Sequence, residues 1–308
     1  MPRVIFRIIL HMKLIRKIII TVISLALALP LTACAPSEAS ANEGFNIVTS
    51  FYPMQILVMN IAGGIDGVNV SCMSEPDIGC IHDHVFTTED LRLIENADVY
   101  VENGLGLETF NDQILSAYPG LQIIEAAADV TDAPAEEDGE EVNGHVWTSI
   151  DDYILMIRQV GDRLSDIDPE HADIYEANAS SYIDRVENIQ SSNLEIIASL
   201  EGRGALVLDE SLPSFCVYTG MNYRTLETDH EQSALSAGDI RELIEYMNGS
   251  DVDVIFVGTD SDSDIAQTIA DETGASIYVL NTMITGPVEA DAYITQMTEN
   301  FEILSEMN

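Results

Sequence analysis

Six short apolar runs, three in each half of the chain, constrain its fold more than any other feature. "FNIVTS" (45–50), "ADVYVEN" (97–103) and "LQIIEA" (121–126) lie in the first half; "ALVLDE" (205–210), "VDVIFVG" (252–258) and "ASIYVLN" (275–281) lie in the second. Each is continuously apolar rather than alternating, the pattern of parallel strands covered on both faces. Helical patterns separate them. "TTEDLRLIENA" (87–97) opens with Thr87 and Asp90 at capping-box spacing, and "IAQTIADETGA" (265–275) stops at Gly274. Strands alternating with helices predict an α/β fold. One stretch breaks this rhythm. From Pro169 to about Leu200, the residues Tyr175, Ala179, Tyr182, Val186, Ile189, Ile196 and Leu200 recur at helical spacing. At 1.5 Å per residue this is a spine of roughly 45 Å. The pattern predicts an N-terminal lobe over 45–168, a rigid linking helix over 169–201 and a C-terminal lobe over 202–308. Ligands of such a molecule belong in the cleft, near the carboxyl ends of the strands.

The first residues, "MPRVIFRIILHMKLIRKIIITVISLALALPLTAC", hold Arg3, Arg7, Lys13, Arg16 and Lys17 and no acid. An apolar run from Ile18 to Leu31 follows, then Thr32, Ala33 and Cys34. A basic start, a short apolar core and small residues describe a secretory signal, expected over 1–33. About fourteen apolar residues fall short of the roughly 20 that a spanning helix needs. Leu31-Thr32-Ala33-Cys34 also matches the lipobox of bacterial lipoproteins. Cys34 is therefore the expected lipid attachment site, and its acyl chains would hold the protein at a membrane surface. Residues 34–44, small and polar, read as the tether. The expected location is the extracytoplasmic face of a bacterial cell membrane.

Past Cys34 the chain carries all 53 acidic residues against seven arginines and no lysine. Such a surface repels nucleic acid and concentrates cations, so nucleic-acid binding is excluded. Acidity by itself points to solubility rather than to a site. Cys72, Cys80 and Cys216 form no CxxC spacing, and an odd count gives no disulfide framework. Cys72 and Cys80 could pair across a short loop, but by default all three read as small buried residues.

The five histidines after His11 differ in setting. His171, among charges at a helix start, and His230, in a polar loop, read as surface residues. "GCIHDH" (79–84) puts His82 and His84 one residue apart beside Cys80 and Asp83, and His145 precedes the sole tryptophan in "NGHVWTSI". Asp209 and Glu210 end one strand and Asn281 ends another. No HExxH, GxSxG or phosphate-cradling loop joins these positions. From spacing alone, each is a donor at a plausible place or an ordinary turn residue.

At these residues the chain resembles the metal-receptor family of ABC importers, lipoproteins that capture zinc or manganese outside the membrane. "SFYPMQILVMNIAGG", "GCIHDHVFTTEDLRLIENADVYVENGLGLE", the segment from "NGHVWTSI" through "NASSYI", "AQTIADETGASIYVLNTM" and "DAYITQMTEN" are similar to successive family segments, in order. The resemblance implies a two-lobed periplasmic-binding-protein-like fold with a rigid linking helix. It also implies one divalent ion held between the lobes by four protein ligands. Carried over by position, these are His82 in "HDH", His145 in "HVW", Asp209 in "DESLPSFC" and Asn281 in "LNT". Glu210, His84 and Asp260 are further possible donors. The family's usual acid at the fourth position is an amide here, and the acid of "FxEPQ" is Gly258. The histidine-rich loop of zinc members is an acidic segment, 131–144.

Zinc favours imidazole or thiolate in a closed tetrahedron, whereas oxygen donors suit manganese better. The "GCxHDY"-like loop leans toward zinc and the donor set toward manganese; zinc is favoured, with manganese the alternative. The implied function is capture of that ion and delivery to an ABC permease and its ATPase by a monomeric receptor, not an enzyme. The alternative is a degenerate relative serving in cell adhesion or as a receptor for another solute.

Overall fold

The computed structural model describes residues 44–77, 79–135, 142–225, 236–259 and 263–307. These build two four-stranded parallel sheets. The first takes β1 (Phe45–Thr49), β2 (Val68–Cys72), β3 (Val99–Glu102) and β4 (Gln122–Glu125) in the order β2-β1-β3-β4. The second takes β5 (Gly204–Val207), β6 (Asn222–Thr225), β7 (Val252–Gly258) and β8 (Ser276–Leu280) in the order β6-β5-β7-β8. The two halves thus repeat one topology, and every pairing is parallel. The six apolar runs are all strands, as the continuous patterning predicts. The two further strands are β2 and β6, each at a sheet edge, where half-exposed polar residues dilute the apolar signal.

Helices α1 (Tyr52–Ala62), α2 (Thr88–Glu95) and α3 (Asn111–Ala117) belong to the first half. The Thr87–Asp90 capping box at α2 is present, with both reciprocal hydrogen bonds formed. Between the sheets run α4 (Ile150–Ile167), α5 (Ala172–Ser192) and the short α6 (Leu194–Leu200). The predicted spine is therefore two helices, because Asn193 leaves helical geometry with φ −118° and ψ 16°. Its apolar stripe packs as expected: Tyr175, Ala179, Tyr182, Val186, Ile189 and Leu200 are buried. Helices α4 and α5 approach closely at Gly161, where an added β-carbon would lie 2.9 Å from that of Ala179. The second half adds α7 (Pro213–Thr219), α8 (Ala237–Gly249), α9 (Ser263–Thr273) and α10 (Ala292–Leu304).

One buried apolar cluster runs from Ile47 in β1 through Trp147, Tyr153 and Tyr182 to Phe215, Leu280 and Phe301, so the halves share a core. A smaller cluster of Leu206, Leu243, Ile255 and Ile269 covers the far face of the second sheet. Fully burying one such side chain contributes about 1.5–3 kcal/mol. The shared core holds the carboxyl ends of the strands in fixed relation, and the donor residues converge there.

Candidate metal centre

Three loops meet at those carboxyl ends. The loop after β2 makes a single 3-10 turn, Ile81–Asp83, entered from Cys80 in extended conformation. That puts Cys80 and His82 on one side of the turn: Cys80 Sγ lies 3.0 Å from His82 Nδ1. The loop after β4 supplies His145, whose Nε2 lies 3.0 Å from the same sulfur. The residues just past β5 supply Glu210, whose Oε1 is 3.6 Å from His82 Nε2 and 3.5 Å from His145 Nε2. One ligand atom from each of Cys80, His82, His145 and Glu210 lies within 4.8 Å of every other. Two imidazoles, a thiol and a carboxylate from both halves of the chain therefore surround one point.

The surrounding residues hold these groups in place. Asn143 Oδ1 accepts from the His145 backbone N–H at 2.9 Å and lies 3.0 Å from its ring Nδ1. A proton on Nδ1 completes that contact and leaves Nε2 as the lone-pair nitrogen facing Cys80 and Glu210. The Asn143 side-chain amide donates to the Glu210 carbonyl at 2.9 Å, so one residue braces both. Asn103 Nδ2 donates to the Gly144 carbonyl at 3.0 Å, fixing the backbone just before His145. On its other side, Trp147 is wholly buried, with its ring centroid 5.3 Å from that of His145. Burial raises the Glu210 pKa, but the hydrogen bond and charge of His145, then His82 and the Cys80 thiol, outweigh it. The carboxyl is held below its ordinary range and stays ionised. The arrangement is suited to a cation.

Of the ligands carried over by resemblance, His82 and His145 come together in this group, and Asp209 is not a member of it. Residues 209 and 210 lie in the turn after β5, and it is Glu210 whose carboxylate reaches the histidines. Asp209 Oδ1 accepts from the Ser211 N–H at 2.9 Å, and its Oδ2 lies 2.1 Å from where a β-carbon on Gly258 would stand. Loss of the family acid at position 258 thus opens the space that Asp209 fills. The Asn281 side-chain amide donates to Glu299 Oε2 at 3.1 Å, toward α10. Among the further possible donors, Glu210 is in the group. His84 instead pairs with Asp90 at 3.1 Å and packs on Phe110, serving the start of α2. Asp260, Cys34 and His230 lie outside the described residues. His171 is half-buried and pairs with Asp168 at 2.7 Å. Cys80 was legible only as a small buried residue, because its partners are brought to it by the fold.

Residues 47–307 match a family described as zinc-uptake complex component A, periplasmic. The manganese-binding lipoprotein MntA of Halalkalibacterium halodurans is 22% identical over 93% of this chain and 97% of its own length. The zinc-binding lipoprotein AdcA of Streptococcus pneumoniae is 24% identical over 94% of this chain, which spans only 61% of that longer relative. Among solved structures, the substrate-binding protein FpvC of Pseudomonas aeruginosa with Ni2+ superposes with a TM-score of 0.75 at 25% identity. That superposition covers 86% of this chain and 98% of FpvC.

Proposed function

We propose, on the premise that this chain belongs to the family of periplasmic component A proteins of zinc-uptake complexes, that it is a divalent-metal receptor. His82 and His145 from the first half and Glu210 from the second hold the ion. It passes its cargo to an ABC permease driven by an ATPase. The observation that carries this reading is the convergence of four donor side chains from three separate loops at one point between the sheets. Two imidazoles and a carboxylate are competent metal ligands. Zinc is the favoured cargo, with manganese second. The named relatives bind one or the other.

The same premise supports the remaining assignments. Residues 1–33 act as the export signal and Cys34 as the lipid attachment, which places the receptor on the extracytoplasmic face of the membrane. Residues 45–168 and 202–308 form the two metal-binding lobes of a monomer, with 169–201 between them. The protein captures and releases rather than turns over a substrate.

Calorimetric titration of the chelator-stripped protein tests the reading. One-to-one binding of zinc that raises Tm and is lost in His145→Ala is the expected result. Weak uptake at many sites, unchanged by that substitution, would show the acidic surface merely collecting cations and would end the proposal.

A further inference from the structure

We infer that Cys80 binds the ion as a thiolate, which makes the centre a closed Cys–His–His–Glu set selective for zinc over manganese. The inference rests on the receptor reading above and specifies the metal class. The sulfur is 3.0 Å from one ring nitrogen of each histidine and shares the 4.8 Å cluster with the Glu210 carboxylate. It is buried, with 7% exposure.

The other two cysteines in the described residues provide the contrast. Cys216 is wholly buried on α7, and burial alone pushes its thiol far up. Cys72, at the end of β2, is also pushed up by burial, and its thiol contacts Thr49 and Ser74 hydroxyls. Both sit as inert thiols do. Cys80 alone faces two imidazoles and a carboxylate. A sulfur kept only for packing has no need of three polar neighbours, whereas a fourth ligand needs all of them.

The chemistry closes without a co-reactant. The divalent ion displaces the thiol proton, a sulfur–metal bond forms, and the proton passes to solvent. The thiolate and the Glu210 carboxylate together cancel the ion's charge. Four donors of nitrogen, sulfur and oxygen type complete a tetrahedron, which zinc accepts. Manganese prefers oxygen and gains least from such a set.

Cobalt(II) reports the ligand directly, since thiolate coordination produces a sulfur-to-cobalt charge-transfer absorption in the near ultraviolet. The stripped full chain loaded with one equivalent of cobalt is expected to show that band, and zinc is expected to abolish it by displacement. Cys80→Ser should lose the band. It should also lose zinc affinity by about a hundredfold or more, at or beyond the upper end of what losing a mere supporting contact costs. Its manganese affinity should change little, so the zinc-to-manganese preference collapses. If wild-type protein binds cobalt one-to-one without the band, or if Cys80→Ser keeps the wild-type preference, Cys80 only orients the rings and the inference is wrong while the receptor stands. If no metal binds one-to-one, the receptor reading fails and takes this inference with it.

Discussion

Asn143 does at the residue scale what a metal site most depends on: it fixes which nitrogen is free. Its side-chain oxygen serves the His145 ring and backbone, and its amide holds the Glu210 carbonyl. Asn143→Ala removes all three contacts while leaving every proposed ligand in the chain. Losses from such supporting partners run to about 10–100-fold in metal affinity. We therefore expect zinc binding to weaken by that order with the stoichiometry unchanged, as read by competition against a chromogenic chelator. An affinity within twofold of wild type would show that His145 is held by packing on Trp147 alone. Gly258 makes a second test. A β-carbon there would stand 2.1 Å from Asp209 Oδ2 and 2.8 Å from Thr282 Cγ2. Overpacking of that kind costs about 1–3 kcal/mol, so Gly258→Ala should lower Tm by several degrees. A variant melting with wild type would mean that Asp209 moves aside freely.

Whether a feature was legible in the sequence depended on the element that carries it. Central strands such as β3 and β7 are buried on both faces, so continuous apolar runs announce them. The edge strands β2 and β6 carry Asn69, Ser71, Asn222 and Arg224 and do not stand out. The spine's stripe was readable, but its break at Asn193 was not, since no proline or glycine marks it. At the site, His82 and His145 follow from family resemblance. The choice of Glu210 over Asp209 turns on the phase of a loop after β5, which spacing does not fix. Cys80 stands beside His82 in "GCIHDH", but the residues that give its sulfur meaning are assembled by tertiary contacts. The end of β3 carries another such tertiary feature. Glu102 is buried, and burial, then the Glu108 charge, pushes its pKa from 4.5 to about 8. Between those values the native state keeps a proton that the unfolded chain has lost. Stability therefore falls as pH rises through that window and levels off above about 8. Glu102→Gln removes this titration, so its Tm should decline less than that of wild type across the same range. Parallel curves for the two proteins would place the pH dependence elsewhere.

At the scale of the whole molecule, the halves are joined by more than the spine. Trp147 donates its indole N–H to the Thr282 carbonyl at 2.9 Å, and Thr148 Oγ1 donates to the Ser211 carbonyl at 2.7 Å. Tyr293 donates to the Trp147 carbonyl at 3.1 Å, and Tyr52 to that of Pro287 at 2.8 Å. Each bond crosses from one half to the other, and Tyr52, Trp147 and Tyr293 belong to the common core. A net contribution of about 0.5–1.5 kcal/mol per hydrogen bond makes four of them together a real restraint on opening. Loading should then tighten side chains around the ion without swinging one lobe toward the other. Zinc in excess should raise Tm in proportion to the logarithm of its free concentration, since only the native state gathers these donors. Trp147 fluorescence should change with the same one-to-one endpoint, because its ring lies against His145. The radius of gyration from small-angle scattering should be the same with and without zinc. A clear contraction on loading would show that these cross-half bonds break in the metal-free protein, and that capture proceeds by closing the lobes rather than by filling a site already built.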